Sequence, residues 1–179
     1  MTIMSIIGLL VLLVVVLGII GTAALAIMSR GSAAQALAAR ALQLQSMGVT
    51  EIYLLYGGKG AYMPSLPLSV PSVWSVLGTG FLAYMVPGML IVEFAWAGQT
   101  RPFFKLTPGM PVQKTVIYIR GQKLPALRLG SHNYTAVGVG LVTTEAVQEG
   151  LALRDPTRAI AYTTTLAGAL SSYGFTPID

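Results

Sequence analysis

The chain has 179 residues, a length that suits one domain, or a small domain with an anchor. Hydrophobic residues make up 54% and charged residues only 9%, against about 25% charged in an ordinary soluble domain, so a lipid or protein partner is needed to cover part of the surface. The absence of cysteine excludes disulfides and thiolate metal sites, and the net charge of +5 comes from scattered Lys and Arg rather than a basic run, so direct nucleic-acid binding is not expected.

From Ile3 to Ile27 no side chain is charged. As a helix this run is about 37 Å long, enough to cross the hydrocarbon core of a bilayer. Ala24-Leu25-Ala26 resembles a signal-peptide cleavage site, but the run is longer than a signal peptide's apolar core and no Lys or Arg precedes it. Arg30 and Arg40 follow it, the reverse of the positive-inside pattern for an N-in protein. Either the N-terminus faces out, or a short basic leader was removed ahead of Met1; the second reading is preferred. Beyond the span, Leu37, Ala41, Leu44, Gly48, Ile52 and Leu55 recur at steps of three or four, one apolar face of a helix. The expectation is one continuous helix, with a membrane or filament-core half over 1–29 and an amphipathic half over 30–56. No Asp or Glu occurs before Glu51.

Gly57, Gly58, Gly60 and Pro64 break the pattern and open residues 57–179, read as a globular α+β head. Ser72–Leu77 reads as a helical turn, Met89–Ala97 and Thr115–Arg120 as strands, and Gly98–Gly109 and Gly121–Pro125 as turns. Tyr134–Val142 reads as a strand whose Gly138 and Gly140 signal a bulge or a close backbone approach. Thr143–Leu153 reads as a helix capped by Thr143 or Thr144, Arg154-Asp155-Pro156 as a break, and Ala161–Tyr173, Thr-rich like a strand but Ala- and Leu-rich like a helix, is taken as a helix over a strand. The fold class expected is α+β: a long N-terminal helix packed on a small antiparallel sheet with short helices.

The apolar helix with Val16-Leu17-Gly18-Ile19-Ile20-Gly21, and above all Tyr56-Gly57-Gly58-Lys59-Gly60-Ala61-Tyr62 followed by Met63-Pro64, resemble the type IV pilins, and within them the type IVb subclass that includes the pilins of conjugative thin pili. Tyr56, Gly58, Gly60 and Tyr62 match the helix-exit motif of that family. The resemblance covers about residues 1–65. It implies a major structural subunit of an extracellular pilus used for adhesion, conjugative contact or motility. It implies inner-membrane storage before assembly, leader removal by a prepilin peptidase, N-terminal methylation, and polymerisation with itself by an assembly machinery. Met1, Ser5, Gly8, Leu13, Gly18, Gly21 and Ala24 would form the assembly element. The chain departs from the family in having Ser5 where a glutamate is common, no proline in the apolar helix, and no C-terminal disulfide.

No catalytic, cofactor-binding or metal-binding residue is expected. His132 is the only histidine and lacks the partners of a zinc site or triad. The glycines at 57–60 lack the strand and Lys-Ser/Thr ending of a phosphate loop. Trp74, Trp96, Phe103, Phe104 and Tyr118 suit core packing better than an adhesive surface. Glu93, inside an apolar strand, needs a cationic partner if it faces inward. Lys59, Arg101, Lys105, Lys114 and Arg154 are candidates to pair between subunits with Glu51, Glu145, Glu149, Asp155 and Asp179. The rival to a pilin is a single-span inner-membrane protein with a periplasmic domain in a secretion or envelope complex, minor-pilin or pseudopilin-like. An enzyme is not expected, because carboxylates are few and far apart.

Overall fold

The computed structural model describes residues 3–57, 80–96, 98–119, 121–130 and 132–178, with side chains along the first helix described at 11–18, at 21 and from 31 onward. Helix α1 (Ile3–Ser46) leads into strands β1 (Ile52–Gly57), β2 (Gly80–Val86), β3 (Met89–Trp96), β4 (Gln99–Leu106), β5 (Val112–Ile119), β6 (Gln122–Leu129) and β7 (His132–Val139). Helices α2 (Thr144–Ala152) and α3 (Pro156–Ser172) and the short strand β8 (Pro177–Ile178) complete the chain. All strands lie in one eight-stranded sheet of order β4-β3-β2-β1-β7-β6-β5-β8. Every pairing is antiparallel except that of β8 with β5.

This corrects the expected fold class: the sheet is not a small platform for a long helix but the dominant element. Two segments read as turns are strands. In β4, Pro102 lies on the sheet edge opposite Glu93, where a register shift between Val92 and Glu93 interrupts the ladder. A proline is tolerated there because no central hydrogen bond is lost. In β6, Pro125 pairs with Val116 of β5, while β6 pairs with β7 only over Leu127–Leu129. Its missing N–H therefore falls where β6 has already left β7.

The helix limit is corrected as well. Gly48, at φ 85°, follows α1, and Val49 N–H bonds the Leu44 carbonyl at 3.0 Å, a Schellman-type stop. Ile52 and Leu55, read as the end of the amphipathic stripe, form with Tyr53 and Leu54 the central strand β1 and are buried on both of its faces. A continuous apolar run of this length fits a doubly covered strand and a buried helix turn equally well. Tyr56 is therefore a strand residue and not a helix exit, and Gly58, Gly60 and Tyr62 lie outside the described residues, as do Met1, Trp74 and the Ser72–Leu77 turn. Helix α1 enters the core from Ala33 onward. Among the described residues no helix is long and apolar enough to cross a membrane. The transmembrane segment and the inner-membrane location expected from it are corrected accordingly.

The sheet is strongly curved. Strands β4 and β7 are four places apart, which in a flat sheet is about 19 Å. Yet Phe103 of β4 lies 5.1 Å, ring centre to ring centre, from His132 of β7, and Phe104 lies 6.1 Å from Tyr134. One face thus folds onto itself and buries Tyr53, Leu55, Phe81, Leu90, Val92 and Leu129. The other face carries Ile52, Leu54, Leu82 and Tyr84 under Ala34, Leu37, Ala38, Ala41 and Leu44 of α1. Their three-and-four spacing makes one stripe, and the alanines let the helix sit close.

Where β6 splits from β7, α3 packs against both strands. It starts at Asp155, whose carboxylate accepts from Thr157 N–H at 2.9 Å, with Pro156 next, an N-cap followed by a proline in the first turn. The residues read as a break are thus the helix start. Its stripe Ala159, Thr163, Leu166 and Leu170 is buried. The Thr163 hydroxyl accepts from Ala136 N–H at 3.0 Å and meets the Thr135 hydroxyl at 2.9 Å, supplying a partner that β6 no longer provides. Helix α2 is capped by Thr143, which accepts from Ala146 N–H at 3.2 Å. Thr163→Val keeps the shape but leaves a buried N–H unpaired. It is expected to cost about 1–3 kcal/mol and lower Tm by about 3–10 °C, read by thermal melting.

Candidate functional site

Two features of α1 stand out. The first is its apolar surface. Val11, Leu12, Leu13, Val14, Val15, Val16 and Leu17 are all between 42% and 66% exposed. They cover every side of two helical turns, so no rotation of the helix hides them. A side chain built at Gly18 or Gly21 would meet nothing within 4 Å, leaving room for a close approach. Of the expected assembly residues, Leu13, Gly18 and Gly21 fall on this surface. Ser5, Gly8 and Ala24 lie on the same helix.

The second feature ties the helix to the sheet. Glu93, on β3, is 3% exposed and does face inward. Arg40 on α1 grips it with both arms, Nε to Oε2 at 2.9 Å and Nη2 to Oε1 at 2.8 Å. Tyr84 of β2 donates to Oε1 at 2.8 Å, and the Arg40 guanidinium stands 5.8 Å from the Tyr84 ring centre. A planar guanidinium matches a carboxylate with two parallel bonds and can also lie on an aromatic ring. Arg40 was legible only as a cation flanking the apolar run; its partner is 53 residues away in sequence.

Burial alone would raise the Glu93 pKa, but hydrogen bonds from Arg40 and Tyr84 and the Arg40 charge together hold it below the ordinary carboxylate value. The Arg40 pKa is raised, chiefly by its hydrogen bond to Glu93. Tyr84 is raised by burial and then by its bond to Glu93.

The remaining candidates are structural. His132 is buried in β7 at 8% exposure and packs on Phe103, Phe104 and Tyr134. Phe103 and Phe104 lie in the same aromatic cluster. Tyr118 instead projects outward, 57% exposed. Among the described residues no group of three or more His, Cys, Asp or Glu is placed to hold a metal ion. Comparisons with family models, with curated proteins and with solved structures find no match.

Arg40→Ala strands a buried carboxylate and is expected to cost about 3–5 kcal/mol, whereas replacing Arg40 and Glu93 together by Met costs less, measured by urea unfolding. The depressed Glu93 pKa makes this contribution fully present above the ordinary carboxylate range and lost as pH falls through the lowered folded value. The pH dependence of wild-type stability between about pH 5 and pH 2 is therefore expected to flatten in the double variant.

Proposed function

We propose that the chain is a structural subunit of a pilus-like helical filament, polymerising with copies of itself through α1. The observation that carries this reading is the run of seven apolar side chains, Val11–Leu17, exposed around the whole circumference of a helix whose other end is locked to the head. Burying a Val or Leu side chain fully contributes about 1.5–3 kcal/mol. These side chains are about half exposed in the single chain, so much of that free energy is still unrealised.

A second copy of the same helix is a suitable cover. It is apolar on all sides, and Gly18 and Gly21 permit short interhelical distances of the kind small residues allow. The charge-free apolar helix, the part of the resemblance to type IVb pilins that does not depend on a helix exit at Tyr56, supports the same reading, as does a chain with 9% charged residues.

Pairing Leu13→Glu with Leu17→Glu places two charges one turn apart on this surface. Filaments seen by electron microscopy of the wild type are expected to be absent from the variant. The unfolding free energy of its unpolymerised subunit should stay within about 0.5 kcal/mol of that of the unpolymerised wild-type subunit, because these side chains are exposed in the single chain. Filaments of normal abundance in the variant would overturn the proposal.

A further inference from the structure

The two edges of the sheet are built differently. The β4 edge is defended: Pro102 has no N–H to offer, the register shift beside Glu93 interrupts the ladder, and Arg101 and Lys105 are exposed. Proline, bulges and charges are the usual obstacles to adding a strand. The outer edge of β5 carries no proline and no bulge. Strand β8 pairs with it only at Val112 and Gln113, and among the described residues no strand pairs with that edge over residues 114–119. On its other side β5 keeps an unbroken register with β6. Residues 115–119 are an uncharged run of β-branched and aromatic side chains, the composition that suits a strand.

A strand edge offers a row of N–H and C=O groups that another extended backbone pairs in register. Alternate side chains add anchors. Val116 is 44% and Tyr118 57% exposed on one face of β5, opposite Pro125 and Lys123 of β6, while Ile117 and Ile119 on the other face are buried. Charge narrows the choice of partner. Residues 94–144 contain no Asp or Glu but carry Arg101, Lys105, Lys114, Arg120, Lys123 and Arg128. Lys114, Lys123 and Arg128 are exposed on the β5–β6 hairpin. Lys123 and Arg128 have no carboxylate within ion-pair distance among the described residues. Two such hairpins set edge to edge would bring cations against cations, which disfavours a second copy, whereas a segment bearing carboxylates is complementary.

We propose that the outer edge of β5 is a docking site for an extended acidic segment of another protein. The segment adds as a further strand along residues 114–119, with apolar side chains on Val116 and Tyr118 and carboxylates in the field of Lys114, Lys123 and Arg128. Main-chain hydrogen bonds supply the affinity of such a contact, and the alternate side chains and the charge select the partner. No residue of α1 takes part, so the site stands apart from the filament reading.

The test uses the full-length chain carrying Leu13→Glu and Leu17→Glu, which keeps association through α1 out of the measurement. It is titrated with a synthetic peptide of alternating valine and glutamate, and binding is followed by fluorescence anisotropy and by backbone hydrogen exchange. Saturable binding is expected, with slower exchange at the edge amides of residues 114–119 and weaker affinity as salt is raised. Adding Lys123→Glu and Arg128→Glu, both at exposed positions, is expected to leave the melting temperature unchanged and to weaken binding about ten-fold. A peptide of alternating valine and lysine is expected not to bind; equal binding of it overturns the proposal, as does no binding of the acidic peptide. Inorganic polyphosphate has the charge without the backbone. If it binds as tightly as the acidic peptide, the hairpin is a polyanion surface and strand addition is wrong. Slower exchange at the same amides with rising protein concentration and no peptide would make a second copy the occupant, and overturns the proposal too.

Discussion

A carboxylate buried under a helix sets the geometry of this protein. Glu93 is almost fully removed from water, and an uncompensated charge in such a place costs several kcal/mol. The fold therefore tolerates Glu93 only if Arg40 arrives with both nitrogens in place. That requirement fixes the rotation and the register of α1 over β2 and β3, because a shift of one residue would carry the guanidinium to another side of the helix. The alanine and leucine stripe of α1 supplies the burial that holds the helix down, but such a stripe can slide by a turn. The Arg40–Glu93 ion pair, with the Tyr84 hydroxyl donating to the same carboxylate, is directional and does not allow that slide. The direction in which the apolar N-terminal half leaves the head follows from it.

The sheet below obeys a second constraint, that every buried backbone group needs a partner. Curvature brings β4 over β7 and lets one face make its own core from aromatic rings. The cost of that curvature appears at the β6–β7 split, where part of the ladder is lost. Helix α3 fills the split, and a single threonine hydroxyl satisfies the N–H exposed by it. Pro125 is harmless on the same stretch of β6 for the same reason. The interruptions opposite Pro102 and between Leu54 and Leu55 are the bulges through which strands of this kind bend.

The surface is as unusual as the core. Hydroxyls along the outer side of α3 turn back to their own helix: Thr164 donates to the Ile160 carbonyl, Thr165 to Ala161 and Ser171 to Ala167, each at 3.0 Å. They present methyl and methylene groups outward. Val11–Leu17 on α1 likewise leave apolar groups at the surface. Self-association would couple stability to subunit concentration, so a polymer and its free subunit would differ in how readily they unfold.

The amino-acid sequence by itself determined the elements whose signals are local. The charge-free N-terminal helix, β3, β5, β7 and the helix capped by Thr143 all follow from periodicity, caps and β-branched runs that act within about ten residues. It also marked Glu93 as a group that needs a cation if it faces inward. The tertiary structure alone decided the rest. Whether Ile52–Leu55 is a helix turn or a strand depends on β2 and β7 lying on either side of it, and whether Pro102 and Pro125 break or join a sheet depends on where the ladder is already open. Arg40 finds Glu93, and Phe103 finds His132, only after the chain has folded. Periodicity reports which side of an element is buried; what lies against that side is set by contacts between residues far apart in the chain.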